Sequence, residues 1–274
     1  MSMSSTVKSR PTWRRHAWQL GALPFVLFIA LPLAALVLRI TPADLTAAFS
    51  QDTVRQAIGL SLSTSLSSVA LTILFGTPLA YYLSHTKYRF RRFLDTLIDL
   101  PTVLPPAVAG LALLMTFGRR GLLGAWLEPL GLTIPFTPLA VIMAQTFIAA
   151  PLYIKSAAIG FSGVDCELRR AAALDGANRW QTFRFIIVPM AWTALLSGIV
   201  MTWARALGEF GATIIFAGNF PGRTQTMPLA IYIGFEIDLS AALTLSAILV
   251  ALSTLILVLV KTLLRGETEE QVID

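Results

Sequence analysis

Residues Ala57–Leu83 read AIGLSLSTSLSSVALTILFGTPLAYYL, a run without one charged side chain. A helix that crosses the hydrocarbon core of a bilayer needs about 20 predominantly apolar residues, and this run exceeds that length. Its polar members, Ser61, Ser63, Thr64, Ser65, Ser67 and Ser68, are hydroxyls. Hydroxyls donate back to helix carbonyls or across to another helix, so they read as packing glue or as a row facing a substrate. Outward from this segment, five further stretches qualify as spans: about Trp18–Leu38, Phe93–Phe117, Pro135–Ile159, Pro189–Ala217 and Ala241–Leu264. Composition agrees, with 55 % of the 274 residues hydrophobic and 13 % charged, against about 25 % charged in an average soluble domain. The expected fold is an all-α integral membrane protein of six transmembrane helices. A basic tail fills 1–17, the helical domain 18–264 and a short tail 265–274, which leaves no segment long enough for a soluble domain.

Charge fixes the orientation. Fifteen Lys and Arg fall on one set of alternate connections: Lys8 to Arg15, Lys87 to Arg92, Lys155 to Arg184, and Lys261 with Arg265. Five fall on the other set, Arg39, Arg55, Arg119, Arg120 and Arg223, and Arg205 lies within a span. The positive-inside rule therefore places both termini and the Lys155–Pro189 loop in the cytoplasm. The basic balance reflects topology, with anionic lipid headgroups as the partners and no nucleic acid. The apolar run after Lys8 continues to Leu38 without a small-x-small cleavage pattern, so it reads as an uncleaved first span. A single cysteine, Cys166, excludes an internal disulfide and a cysteine zinc cluster. His16 and His85 sit in basic tracts and read as solvated surface, so no metal site is expected.

Breaks in the spans mark candidate working parts. Pro101, Pro105 and Pro106 fall close together in the third span, followed by Ala107, Ala109 and Gly110. Each proline removes a backbone donor and disturbs the preceding turn, and small residues allow close helix contact. This segment is either a pathway or gating helix or a kinked packing helix. Glu209, within the fifth span, is a functional candidate because its charge is costly to bury. Arg205 lies four residues earlier on the same face and offers an ion pair. Gly208 and Gly211 permit close packing or a helix break, and Phe210 with apolar neighbours would close a path by excluding water. Between the third and fourth spans, Gly118–Thr133 holds Arg119-Arg120-Gly121 and Leu122-Leu123-Gly124-Ala125-Trp126. It reads as an external loop with a short interfacial helix, or as a place where an external partner docks.

The cytoplasmic loop at about 160–188 is the most specific signal. Val164, Leu168, Ala171, Ala172 and Asp175 recur at three- and four-residue steps, predicting a short helix with one small apolar face. Gly176 supplies a tight turn, a second short helix fits Ala177–Phe185, and Pro189 opens the next span. Such a projection suits the groove of another protein, with Arg169 and Arg170 at its rim; otherwise it is an amphipathic loop resting on the bilayer.

This loop resembles the Glu-Ala-Ala, three residues, Gly, nine residues, Ile-x-Leu-Pro motif in permease subunits of bacterial ATP-binding-cassette importers. Ala171, Ala172, Gly176, Ile186 and Pro189 meet the spacing, while Arg170 stands in the acidic place and Val188 in the Leu place. Glu167 lies one turn earlier. The strings Leu100-Pro101-Thr102-Val103-Leu104-Pro105-Pro106, Phe117-Gly118-Arg119-Arg120-Gly121, Leu207-Gly208-Glu209-Phe210-Gly211-Ala212 and Gly218-Asn219-Phe220-Pro221-Gly222-Arg223-Thr224 look like the molybdate permease family, in its molybdate–tungstate–sulfate branch.

The resemblance implies a type I importer permease in the bacterial plasma (inner) membrane. It implies a homodimer, two cytoplasmic ATPase subunits that use ATP and Mg²⁺, and an extracytoplasmic oxyanion-binding protein. Arg170, Ala171, Ala172, Leu174, Asp175, Gly176, Ile186 and Pro189 would couple to the ATPase. Pro105, Pro106, Arg205, Gly208, Glu209, Phe210 and Gly211 would form a pathway or gate. No catalytic residue and no bound cofactor is expected, since no Gly-x-x-x-x-Gly-Lys-Ser/Thr loop occurs. A carboxylate repels a dianion, so Glu209 is expected to serve structure or gating rather than substrate contact. A sulfate or tungstate permease of the same family is the near alternative. A secondary anion transporter would show internal repeats and a midplane ion site, which the sequence lacks.

Overall fold

A computed structural model describes residues 13–85 and 89–270. The basic positions Lys8, Arg10 and Lys87 lie outside the described residues, as do the side chains of Arg14, Arg15, His16, Arg89, Lys261 and Arg265. Three helices are long and apolar enough to cross a membrane: α3 (Asp52–His85), α7 (Pro138–Ser162) and the Leu239–Val258 part of α14 (Leu239–Glu270). Three bent pairs meet the same test. In chain order they are α1 (Trp13–Leu38) with α2 (Pro42–Ser50), bent 69°; α4 (Arg89–Val103) with α5 (Pro106–Phe117), bent 116°; and Arg179–Met190 with α11 (Trp192–Leu207), bent 73°. Counted as one span each, they bring the total to six.

The bundle is built on α7. Ser61, Thr64, Ser65, Ser68, Thr72, Gly76, Ala80 and Leu83 recur at helical spacing on α3 and are all buried. Two side-chain hydrogen bonds between α3 and α7 fix a parallel register. Thr146 donates to Ser68 at 3.0 Å, and the Thr77 hydroxyl shares a 2.6 Å hydrogen bond with Tyr153. Most of the hydroxyls also donate to their own helix, as Thr72 does to the Ser68 carbonyl at 2.8 Å; Ser61, Thr64, Ser65 and Ser68 are buried in the packing, whereas Ser63 is exposed and Ser67 half-buried. Helix α11 packs antiparallel on α7 and also touches α3, with Ser156 donating to the Ala194 carbonyl at 2.6 Å, Thr202 to the Ala149 carbonyl at 3.3 Å and the Trp203 indole N–H to the Ser65 hydroxyl at 3.0 Å.

Two expected spans are corrected by the structure. Phe93–Phe117 is expected as one span, either a pathway or gating helix or a kinked packing helix. The chain instead leaves the helix after Val103, passes through Leu104 and an extended Pro105 (φ −54°, ψ 133°), and restarts at Pro106. A residue before proline is pushed out of the helical region, and two consecutive prolines turn a kink into a corner. Helix α4 then lies across α7, where Asp95 and Asp99 receive the Lys155 ammonium at 2.5 and 2.9 Å. The fifth span also differs. Instead of running to Ala217, α11 stops at Leu207, residues 208–210 are not helical, and α12 (Gly211–Phe216) begins anew. Outside the spans, the 118–133 connection carries the expected short helix as α6 (Gly124–Leu127), followed by a 3-10 turn. An apolar helix that the sequence reading did not anticipate, α13 (Met227–Ile237), precedes α14.

Helices α5 and α12 touch through Gly110. A Cβ there would stand 2.7 Å from the Ala212 carbonyl oxygen and 2.9 Å from its Cα, both backbone atoms. Gly110→Val is therefore expected to destabilise by about 1–3 kcal/mol, the usual cost of overpacking. The readout is a lowered thermal unfolding temperature of the detergent-solubilised protein.

Candidate functional site

The cytoplasmic-loop motif folds as expected into a short helix, α8 (Cys166–Leu174). Asp165 caps its start by accepting from the Glu167 N–H at 2.9 Å. Its end is closed by a Schellman arrangement, in which the Ala177 N–H reaches the Ala172 carbonyl and the Gly176 N–H the Ala173 carbonyl. Gly176 has φ 85°, in the left-handed region where a side chain is strained. The next turn, α9 (Arg179–Thr182), opens with a reciprocal capping box between Asn178 and Gln181. A π-helical turn (Phe183–Ile187) and α10 (Val188–Met190) then carry the chain to the bend at Ala191.

Burial divides the motif. Val164 and Ala172 face inward, whereas Leu168 and Ala171 are exposed, so the small apolar face expected from the spacing is divided between the chain's own core and the surface. The outward face holds Glu167, Arg170, Ala171 and Leu174, with Leu174 90 % exposed. Among the described residues Arg170 forms no ion pair. Asp175 and Pro189 are also exposed, and Ile186 is half-buried. The anchors beneath are residues the sequence reading missed. Ile187 and Phe161 are fully buried, and Phe161, Phe183 and Tyr81 make edge-on ring contacts at 5.1 to 5.9 Å. An aromatic residue at each of three loop ends was the available signal. His85, at the end of α3, contacts the Arg169 guanidinium through Nε2. It thereby lines a cleft of about 370 Å³ with Arg169, Arg170 and Arg179.

The pathway candidates gather at a second place. The breaks at Pro105 and at Gly208–Phe210 lie side by side, since a Cβ on Gly211 would stand 2.6 Å from the Pro106 Cβ. Glu209 is 1 % exposed and accepts from the Arg205 guanidinium at 2.7 Å and the Ala212 N–H at 2.8 Å. The i, i+4 pair was legible in the sequence. The bond to Ala212 was not, because it exists only once the helix is interrupted. Phe210 packs against Tyr232 with ring centroids 5.2 Å apart, and Gly208 is exposed. Both unwound segments thus serve as the corner from which two half-helices, α5 and α12, start in contact. Irregular backbone at membrane depth is tolerated where protein or a cavity surrounds it.

Gln145, fully buried in α7, has no hydrogen-bond partner for either amide atom among the described residues. An unsatisfied buried polar group costs about 1–3 kcal/mol. Gln145→Leu is expected to raise thermal stability by that order. A loss of stability would show that the amide is paired in the assembled protein.

Residues 72–266 match the family model described as binding-protein-dependent transport system inner membrane component. The molybdenum transport system permease protein ModB of Mycobacterium tuberculosis is 39 % identical over 239 residues, covering 86 % of this chain and 90 % of that one. The probable transport system permease protein NifC of Clostridium pasteurianum is 37 % identical over 220 residues, covering 80 % of this chain and 77 % of that one. A solved bacterial ABC transporter involved in the import of the acidic polysaccharide alginate shares the fold. Its TM-score is 0.73, with 17 % identity, over 93 % of this chain and 96 % of that chain.

Proposed function

The chain belongs to the family of binding-protein-dependent transport system inner membrane components, and from that premise we propose that it is the permease subunit of an importer for a tetrahedral oxyanion, molybdate. The substrate reading rests on the relatives named for molybdenum transport. In this reading two copies of the chain form the pathway in a bacterial plasma membrane, with both termini in the cytoplasm. Two ATPase subunits, which bind ATP and Mg²⁺, sit under the cytoplasmic loops, and an external protein delivers the anion. The chain itself performs no catalysis.

One observation carries the coupling role. Helix α8 is stiffly capped at both ends, yet it turns Arg170, Ala171 and a 90 % exposed Leu174 away from its own chain. A short rigid helix with an unpartnered apolar tip transmits a push better than a loose loop. ATP shifts the permease only in so far as the ATPase pair binds one arrangement better than the other, and the helix supplies the contact through which that difference acts. Glu209 then serves as the pin of the corner next to the path, with Pro105, Pro106, Gly208, Phe210 and Gly211 shaping it.

The test is ATP hydrolysis by the chain assembled with the ATPase and binding protein of its own transport system. Hydrolysis is expected to rise when the binding protein is loaded with molybdate. A response to sulfate but not to molybdate or tungstate would overturn the substrate, and an ATPase that does not associate with the chain would overturn the importer.

A further inference from the structure

We propose that Arg119 and Arg223 form an anion site at the end of the bundle opposite the coupling loop, which takes the tetrahedral oxyanion before it enters the path. The substrate class rests on the function proposed above; the site rests on geometry. Arg119 and Arg223 are 104 positions apart in sequence by their numbering, yet both line one cleft of about 450 Å³ together with Gly118, Thr133 and Phe136. Small-ligand pockets span about 300–1,000 Å³. The cleft precedes the N-terminal end of α7, whereas α8 follows its C-terminal end. The 25 residues of α7 separate the two by roughly 37 Å at 1.5 Å per residue.

Each arginine stands on a loop that glycine makes rigid. After α5 the chain folds back on the helix end, with the Leu122 and Leu123 N–H groups donating to the Met115 and Thr116 carbonyls at 3.0 and 2.8 Å. The fold-back is too tight for side chains. A Cβ on Gly121 would lie 2.5 Å from the Met115 carbonyl oxygen, and one on Gly124 would lie 2.1 Å from that of Gly118. The other loop turns through Gly218 and Gly222, both at φ 72°. It is tied by the Arg223, Thr224 and Gln225 N–H groups, all donating to the Phe220 carbonyl at 2.9 to 3.1 Å. Thr224 is fully buried beside the exposed Arg223. The segment leading into α7 bridges them, with Phe136, at a positive φ of 63°, lining the cleft and packing edge-on against Phe220.

No carboxylate lines the cleft, and among the described residues neither guanidinium has an ion-pair or hydrogen-bond partner. Two guanidinium groups held at one cleft without a counter-charge repel each other, and a bound dianion reverses the sign of that interaction. Planar guanidinium forks also match the paired oxygens of an oxyanion. Thr133 adds a hydroxyl at the same place.

The experiment measures binding of radiolabelled molybdate to the chain in lipid nanodiscs with its ATPase, without the external binding protein. Saturable binding is expected, weakened at least ten-fold in the R119Q/R223Q double variant and largely retained in R119K/R223K. Equal binding by wild type and R119Q/R223Q would overturn the site, as would absence of saturable binding while the assembled system still imports molybdate. Unchanged molybdate affinity in R119Q/R223Q with lost attachment of the external protein would also overturn it, assigning the cations to protein docking instead. Saturable, arginine-dependent binding in a chain that no ATPase drives would support the site while the importer reading fails.

Discussion

Replacing Gly176 by valine is expected to cut ATP-driven transport at least ten-fold while the transmembrane core stays folded. Gly176 sits at φ 85°, a conformation that costs an L residue roughly 1–2 kcal/mol and a β-branched one more. Tenfold in an equilibrium corresponds to about 1.4 kcal/mol, so the strain is large enough to move the loop out of its Schellman closure. Nothing stands within 4 Å of the position a Cβ would take, so the effect is conformational and not a clash. Only the relative placement of α8 and α9 changes, and with it the direction in which Leu174 points. Asparagine tolerates the left-handed region, so Gly176→Asn is expected to keep most activity. The discriminating readout is attachment of the ATPase, lost in the valine variant and kept in the asparagine one, with thermal unfolding of the membrane domain unchanged in both.

Glu209→Ala is expected to destabilise the membrane domain by about 2–3 kcal/mol and to abolish transport. Breaking a buried ion pair by removing one partner costs about 3–5 kcal/mol when the other charge stays buried. Here the Arg205 side chain is 37 % exposed and recovers part of its hydration, which puts the loss below that range. The Ala212 N–H also loses its acceptor, and α12 loses the bond that fixes its start against Pro106 and Gly110. Glu209→Gln keeps an acceptor for that N–H but removes the charge, so an intermediate loss is expected. Thermal unfolding in detergent gives the stability and labelled uptake gives the function. If Glu209→Ala unfolds at the wild-type temperature, the carboxylate is not the pin described.

The sequence made the helices legible because their signal is local. A run such as Ala57–Leu83 carries its own evidence in length and composition, and the buried row from Ser61 to Leu83 follows from helical spacing alone. Corners were legible as to place and not as to size. Pro105 and Pro106 announced an interruption, but neither the 116° turn nor the pairing of Lys155 on α7 with Asp95 and Asp99 on α4, a contact between distant segments, was legible. Which residues of α8 turn inward was not legible in the sequence for a related reason. Leu168 and Ala171 share helical spacing with Val164 and Ala172, and which of them is covered depends on how the loop docks on the bundle, where Val164 joins a buried cluster with Phe161 and Ile187. Arg119 and Arg223 stand in two separate connections of the sequence. Their meeting is a product of two glycine turns and appears only in three dimensions.

The most direct measurement of the central claim is labelled molybdate uptake into proteoliposomes that hold this chain and its ATPase, with ATP enclosed and the binding protein outside. The account predicts accumulation that requires both the ATPase and enclosed ATP and that disappears in Gly176→Val. Accumulation that persists without the ATPase, or that follows an imposed ion gradient in place of ATP, would contradict it and identify a secondary transporter.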